Sequence, residues 1–171
     1  MTYTAQSTVN TPLGDMLLAR TAKGLAGAWF LEGQKDTPDA LLEVPYRPQD
    51  ELLCLAARQI QGYWQGAHHR FELALDLIGT TFQQDVWRVL LSIAPGQHRS
   101  YGDIARELGK PQGFRAVGMA VGRNPLSIIV PCHRVMGQQG HLTGYSGGIQ
   151  RKVALLTHEG FHVDGMQVSA P

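Results

Sequence analysis

The chain has 171 residues, a net charge of +1, 43% apolar residues and two cysteines, enough for one medium domain or two small ones with a real core. No apolar run approaches the roughly 18 residues of a membrane span, and Met1-Thr2-Tyr3-Thr4 is not a charged segment leading into an apolar one, so neither a span nor a secretory signal is expected. Two cysteines, one of them (Cys54) inside a helical pattern, argue against a disulfide framework and for a reducing, cytoplasmic setting.

The small net charge hides an asymmetry. Residues 1–79 hold six Lys/Arg against nine Asp/Glu, a balance of −3, and residues 80–171 hold nine against five, a balance of +4. A basic half beside an acidic one suits a polyanion-binding domain joined to a non-binding one.

In chain order, residues 2–9, 16–20 and 25–31 read as strands, with a turn at Thr11-Pro12-Leu13-Gly14. Residues 33–48, with three prolines, read as a loop. Residues 51–64 carry Leu52, Leu55, Ala56, Ile60, Tyr63 and Trp64 at helical spacing, with Gly66 past the end, and residues 71–77 read as a further strand. These form an N-terminal α/β domain over residues 1–79, antiparallel sheet plus helix.

The second domain, residues 80–171, opens with Thr81-Phe82-Gln83-Gln84 as a capping box; Phe82, Val86, Leu90 and Ile93 form the stripe of its first helix, which stops at Pro95-Gly96. Ser100-Tyr101-Gly102-Asp103 starts another helix ending at Gly109, and a short turn leads to a third from Phe114 to Gly122. Two short helices around a Gly-containing turn outline a helix-turn-helix. The apolar run 126–130 reads as a strand leading to Pro131-Cys132-His133-Arg134-Val135. A Gly-punctuated stretch and a last helix, 150–159, follow. The fold class is α+β.

On the third helix, Val117, Ala120, Val121 and Phe114 share the side expected to face the core. Arg115, Gly118, Met119 and Gly122 share the other. Exposed glycines cost a helix roughly 1 kcal/mol each relative to Ala, and suit a surface that another molecule must approach closely. Tight packing on a neighbouring helix is the alternative. Cys132 is followed by His133 and Arg134, and a cationic neighbourhood lowers a thiol pKa from about 8.5 towards the nucleophilic thiolate. A buried, inert cysteine is the other reading that the residues allow, since neighbours in extended backbone point to opposite sides. Glu159 is a candidate to orient His133.

Pro131-Cys132-His133-Arg134-Val135, preceded by Arg115-Ala116-Val117-Gly118 and Asn124-Pro125, resembles the O6-alkylguanine-DNA alkyltransferase family. The likeness extends through Phe82-Gln83, Val86-Trp87, Ser100-Tyr101-Gly102, Gly144-Tyr145-Ser146-Gly147-Gly148 and His158-Glu159-Gly160, and covers residues 80–162. It implies a C-terminal domain with a winged-helix-like helix-turn-helix. It also implies a single-turnover transfer of the alkyl group from O6-alkylguanine, and from O4-alkylthymine, onto Cys132, with the base flipped out of double-stranded DNA.

By the same resemblance His133 is the base that takes the thiol proton through a water, held by Glu159. Tyr101 donates to the leaving guanine, and Ser146 binds its O6. Tyr145 lines the pocket, and the Cys132 and Val135 carbonyls read the exocyclic amine. Asn124 ties the helix-turn-helix to the active-site strand. Arg115 fills the gap left by the flipped base, with Ala116, Gly118 and Gly122 also on the DNA face. Phe114 and Met136 depart from the family pattern. Some relatives bind zinc through N-terminal cysteines and histidines; with Cys54 alone in that half, neither metal nor cofactor is expected. The protein is expected to be a monomer in solution, with cooperativity along DNA left open. The rivals are a lesion sensor without the acceptor thiol, which Cys132 argues against, and a cysteine hydrolase, which the helix-turn-helix argues against.

Overall fold

A computed structural model describes residues 2–66 and 70–171; Met1, where the N-terminal reading began, lies outside them. Two compact units emerge. The first comprises residues 1–78 with 125–129, the second 79–124 with 130–171.

In the first unit β1 (Ala5–Val9), β2 (Met16–Arg20) and β3 (Leu25–Phe30) form an antiparallel sheet in the order β1-β2-β3. Register runs Val9 to Met16 and Met16 to Phe30, with an irregularity at Ala19/Arg20. Trp29 packs with Ala19 and Leu41. Gly27, two residues earlier on the same face, leaves room for its ring, since a Cβ there would sit 1.8 Å from it. Helix α1 (Glu51–Trp64) is capped by the Asp50 carboxylate, which accepts from Leu53 N–H at 3.1 Å.

The strand expected at 71–77 reduces to one parallel bridge between Leu75 and Leu25. The run 126–130, expected as a strand of the second domain, is corrected on both counts. Pro125–Ile129 belongs to the first unit, because Ala28 N–H donates to Pro125 O (2.8 Å) and Ser127 N–H to Ala28 O (3.0 Å). It is not a strand, because Ile128 sits at φ 73°, left-handed backbone that a β-branched residue rarely adopts.

The second unit contains α2 (Thr81–Leu91), β4 (Arg99–Ser100), α3 (Tyr101–Glu107), α4 (Phe114–Gly122), β5 (Val135–Met136), α5 (Ile149–His158), β6 (His162–Asp164) and β7 (Gln167–Ser169). Capping boxes start α2 and α3: Thr80 with Gln83, one residue before the expected Thr81, and Ser100 with Asp103. Trp87 Nε1 donates to Ala120 O at 2.8 Å and fixes α2 on α4. Val117, Ala120 and Val121 are buried as expected, whereas Phe114, at the first turn beyond the core edge, is half exposed. Met136 is fully buried in a cluster with Leu142, Leu156, Phe161 and Val168. The hairpin β6–β7 was not anticipated. No helix among the described residues is long and apolar enough to cross a membrane.

Candidate active site

A two-residue parallel ladder sets the site. β4 pairs with β5, Arg99 opposite Val135 and Ser100 opposite Met136. Because Ser100 also caps α3, Tyr101 enters the helix beside the 132–135 turn. Residues Cys132–Arg134 form a single 3-10 turn rather than the end of a strand, and all three are buried.

The turn opens onto a cavity of about 330 Å³ lined by Tyr101, Gly118, Gly122, Cys132, Tyr145 and Ser146, together with Val121 and Gly144. Six of the expected residues thus converge. A Cβ at Gly122 would meet nothing within 4 Å, and one at Gly118 would only touch the Tyr101 ring at 3.6 Å. Packing within the protein therefore does not demand either glycine. Arg115 and Ala116 lie on the exposed side of α4 and do not line the cavity.

Cys132 is 3% exposed. Burial pushes its thiol pKa up, against hydrogen bonds from Asn124 and Tyr145 and the charge of Lys152, which pull it down. Of the two readings that the residues left open, the buried thiol is the one favoured at rest: desolvation outweighs the nearby charges and keeps the group protonated. His133 Nε2 lies 2.7 Å from Glu159 Oε2, while Nδ1 is buried with no hydrogen-bond partner among the described residues. Burial holds His133 below its usual pKa despite Glu159, so the ring is neutral, donates Nε2–H to the carboxylate and keeps a lone pair on Nδ1. Hydrogen bonds from His133 and Arg134 hold Glu159 far below the carboxylate range, although burial alone would raise it.

Asn124 is fully buried; its amide donates to the Val130 carbonyl at 2.8 Å, across the 125–129 excursion. Ser146 Oγ is buried in the cavity wall with no partner among the described residues. The Cys132 carbonyl accepts from Val135 N–H.

Three residues of the site escaped the sequence reading in these roles. Arg134 binds both oxygens of Glu159, Nε to Oε1 at 2.7 Å and Nη2 to Oε2 at 2.9 Å. Lys152, fully buried on α5, donates to the Val135 carbonyl at 2.7 Å and the Thr143 hydroxyl at 3.0 Å. Thr143 in turn lies 2.7 Å from the Tyr101 hydroxyl. A signal for Lys152 existed, since it interrupts the apolar stripe of Leu155 and Leu156.

Comparison with known proteins bears on this arrangement. Residues 4–77 match the ribonuclease-like domain, and residues 81–161 the DNA-binding domain, of 6-O-methylguanine DNA methyltransferase. The methylated-DNA–protein-cysteine methyltransferase of Mycobacterium bovis is 45% identical over 152 residues, covering 89% of this chain and 90% of the relative. That of Methanosarcina acetivorans is 43% identical over 152 residues, covering 88% and 94%. Among solved structures, Mycobacterium tuberculosis O6-methylguanine methyltransferase superposes with a TM-score of 0.81 at 44% identity, over 91% of this chain and 92% of that one. The M. tuberculosis OGT in complex with DNA gives 0.82 at 44%, over 91% and 92%.

Proposed function

The chain belongs to the 6-O-methylguanine DNA methyltransferase family, which repairs DNA by alkyl transfer to a cysteine, and from that premise we propose that Cys132 is the acceptor, for an alkyl group on guanine O6. The observation that carries the assignment is the buried pair His133–Glu159 next to Cys132 in the chain, with one imidazole nitrogen held by the carboxylate and the other free to take a proton.

His133 Nδ1 takes the thiol proton through a water, and Glu159 stabilises the imidazolium. The Cys132 sulfur attacks the alkyl carbon in line; the S–C bond forms as the C–O6 bond breaks, and the electron pair stays on the guanine. Tyr101 donates a hydrogen bond to the ring as that charge develops. The Ser146 hydroxyl faces O6, and the Val135 carbonyl keeps a lone pair beyond its Lys152 bond for the exocyclic amine. O4-alkylthymine, with the same alkyl–oxygen bond, is a second substrate. The thioether has no hydrolytic partner, so each molecule acts once.

The alkyl carbon is unreachable inside a duplex, so the base must be extruded, at about a few kcal/mol. Gly118 and Gly122 leave the cavity mouth open where a base would enter, and Arg115, exposed on the same helix, fills the gap in the stack. The protein works as a monomer in the cytoplasm and needs neither metal nor cofactor.

The test is Cys132→Ser. The variant should bind DNA containing O6-methylguanine and transfer nothing; transfer surviving in Cys132→Ser and abolished in Cys54→Ser would overturn the assignment.

A further inference from the structure

Lys152 is a fully buried cation. An ammonium has three N–H donors and no acceptor. These reach the Val135 carbonyl (2.7 Å), the Thr143 hydroxyl (3.0 Å) and, at longer range, the Gly144 carbonyl (3.5 Å). Thr143 Oγ1 is also 2.7 Å from the Tyr101 oxygen, and between two hydroxyls either can donate. The cation biases the direction. Thr143 Oγ1 has to accept from Lys152, and among the described residues its other hydrogen-bond partner is Tyr101. Accepting from Tyr101 as well would leave the Thr143 proton unpaired, so the arrangement that satisfies every group sends that proton to the Tyr101 oxygen. With that oxygen accepting, the phenol proton points away from Thr143, and Tyr101 lines the same cavity as Cys132 and Ser146.

We propose that Lys152 and Thr143 are positioning residues for alkyl transfer: the buried ammonium orients the Thr143 hydroxyl towards Tyr101, and so aims the Tyr101 O–H at the departing base. The inference rests on the reading of Tyr101 as the donor to guanine and deepens it. Hydrogen bonds in a chain polarise one another, so a phenol that accepts from a cation-bound hydroxyl is a stronger donor than an isolated one. That strength is needed as the C–O6 electron pair moves onto the ring. The same ammonium also fixes the Val135 carbonyl, at 2.7 Å. Burial lowers the Lys152 pKa to about 8, which leaves it mostly charged at neutral pH.

The experiment is a single-turnover cycle on duplex DNA carrying O6-methylguanine, with Tyr101→Phe, Thr143→Val, Thr143→Ser and the Tyr101→Phe/Thr143→Val double variant. Thr143→Val keeps the shape of the side chain, so it is a safer probe than removal of the buried lysine. It should slow transfer by roughly 5- to 10-fold, the loss of one hydrogen bond, with lesion binding unchanged, and Thr143→Ser should restore the rate. In the Tyr101→Phe background Thr143→Val should change the rate by less than about twofold, because its effect passes through the phenol. A wild-type rate for Thr143→Val, or an equal slowing in both backgrounds, overturns the relay while leaving the role of Tyr101 standing. A wild-type rate for Tyr101→Phe overturns that role and the relay with it.

Discussion

Arg134 grips Glu159 through both carboxylate oxygens, at 2.7 and 2.9 Å, and its remaining nitrogen donates to the Ile93 carbonyl at 2.6 Å. Glu159 Oε2 accepts from His133 as well. The carboxylate thus orients the imidazole while its charge is balanced by the guanidinium, which lets His133 remain a neutral base.

Arg134→Met removes that balance and leaves a buried, uncompensated carboxylate. Breaking a buried pair costs about 3–5 kcal/mol, which denaturant unfolding should detect. Arg134 also holds the His133 pKa down, so the variant's pKa rises and more of the ring is protonated at neutral pH. The acid-side inflection of the transfer rate should move to higher pH; an unmoved inflection would contradict this role for Arg134.

Gly122 separates folding from function. A Cβ there meets no protein atom within 4 Å, so Gly122→Ala should stabilise the chain by up to about 1 kcal/mol through helix propensity. It should nevertheless slow transfer from duplex DNA, and slow transfer from the free alkylated base much less. Equal rates on duplex for both proteins would remove Gly122 from the DNA surface.

Lys152 makes stability depend on alkaline pH in a defined sense. Its folded pKa, about 8, lies below the unfolded value of roughly 10.4. The charged form is therefore disfavoured by folding; the penalty is fully present below pH 8 and is relieved as the pH rises from about 8 towards 10.4, where the unfolded chain binds the extra proton. Relative to Lys152→Met, the wild type should gain stability across that window. Urea titrations of both proteins at several pH values measure the difference, and a constant difference would contradict a depressed Lys152.

Alkylation should lower stability. Cys132 is 3% exposed, and Asn124 and Tyr145 act on its sulfur by lowering the thiol pKa. A thioether is a poorer acceptor than the sulfur it replaces, and a buried donor left without its partner costs about 1–3 kcal/mol. At roughly 2–4 °C per kcal/mol, the methylated protein should melt several degrees below the unreacted one. An equal or higher melting temperature would mean that the site accommodates the adduct without strain.

Much of the second unit was legible because its signals are local. Ser100 and Asp103 spell the start of α3 outright. The start of α2 slipped by one residue because Thr80-Thr81 and Gln83-Gln84 make two overlapping capping patterns. The strand expected at 126–130 failed at Ile128, whose left-handed backbone no apolar run reveals, and Phe114 matched the core face by angle yet lies at a helix end with no core beneath it. The hairpin at residues 162–169 carried a readable cue in Asp164-Gly165. The cavity residues were found through motif resemblance. The polarity of the network was only half legible: Lys152 falls on the stripe of Leu155 and Leu156, but a lysine on a helix reads as solvated until those neighbours are seen to be buried.

The most direct measurement is intact and peptide mass after incubation with excess duplex DNA carrying O6-methylguanine. The expected result is one methyl group per protein molecule, all of it on the peptide containing Cys132, with repaired guanine equal to protein and no more. Repaired guanine in excess of protein, or the methyl group on Cys54, would contradict irreversible transfer to Cys132.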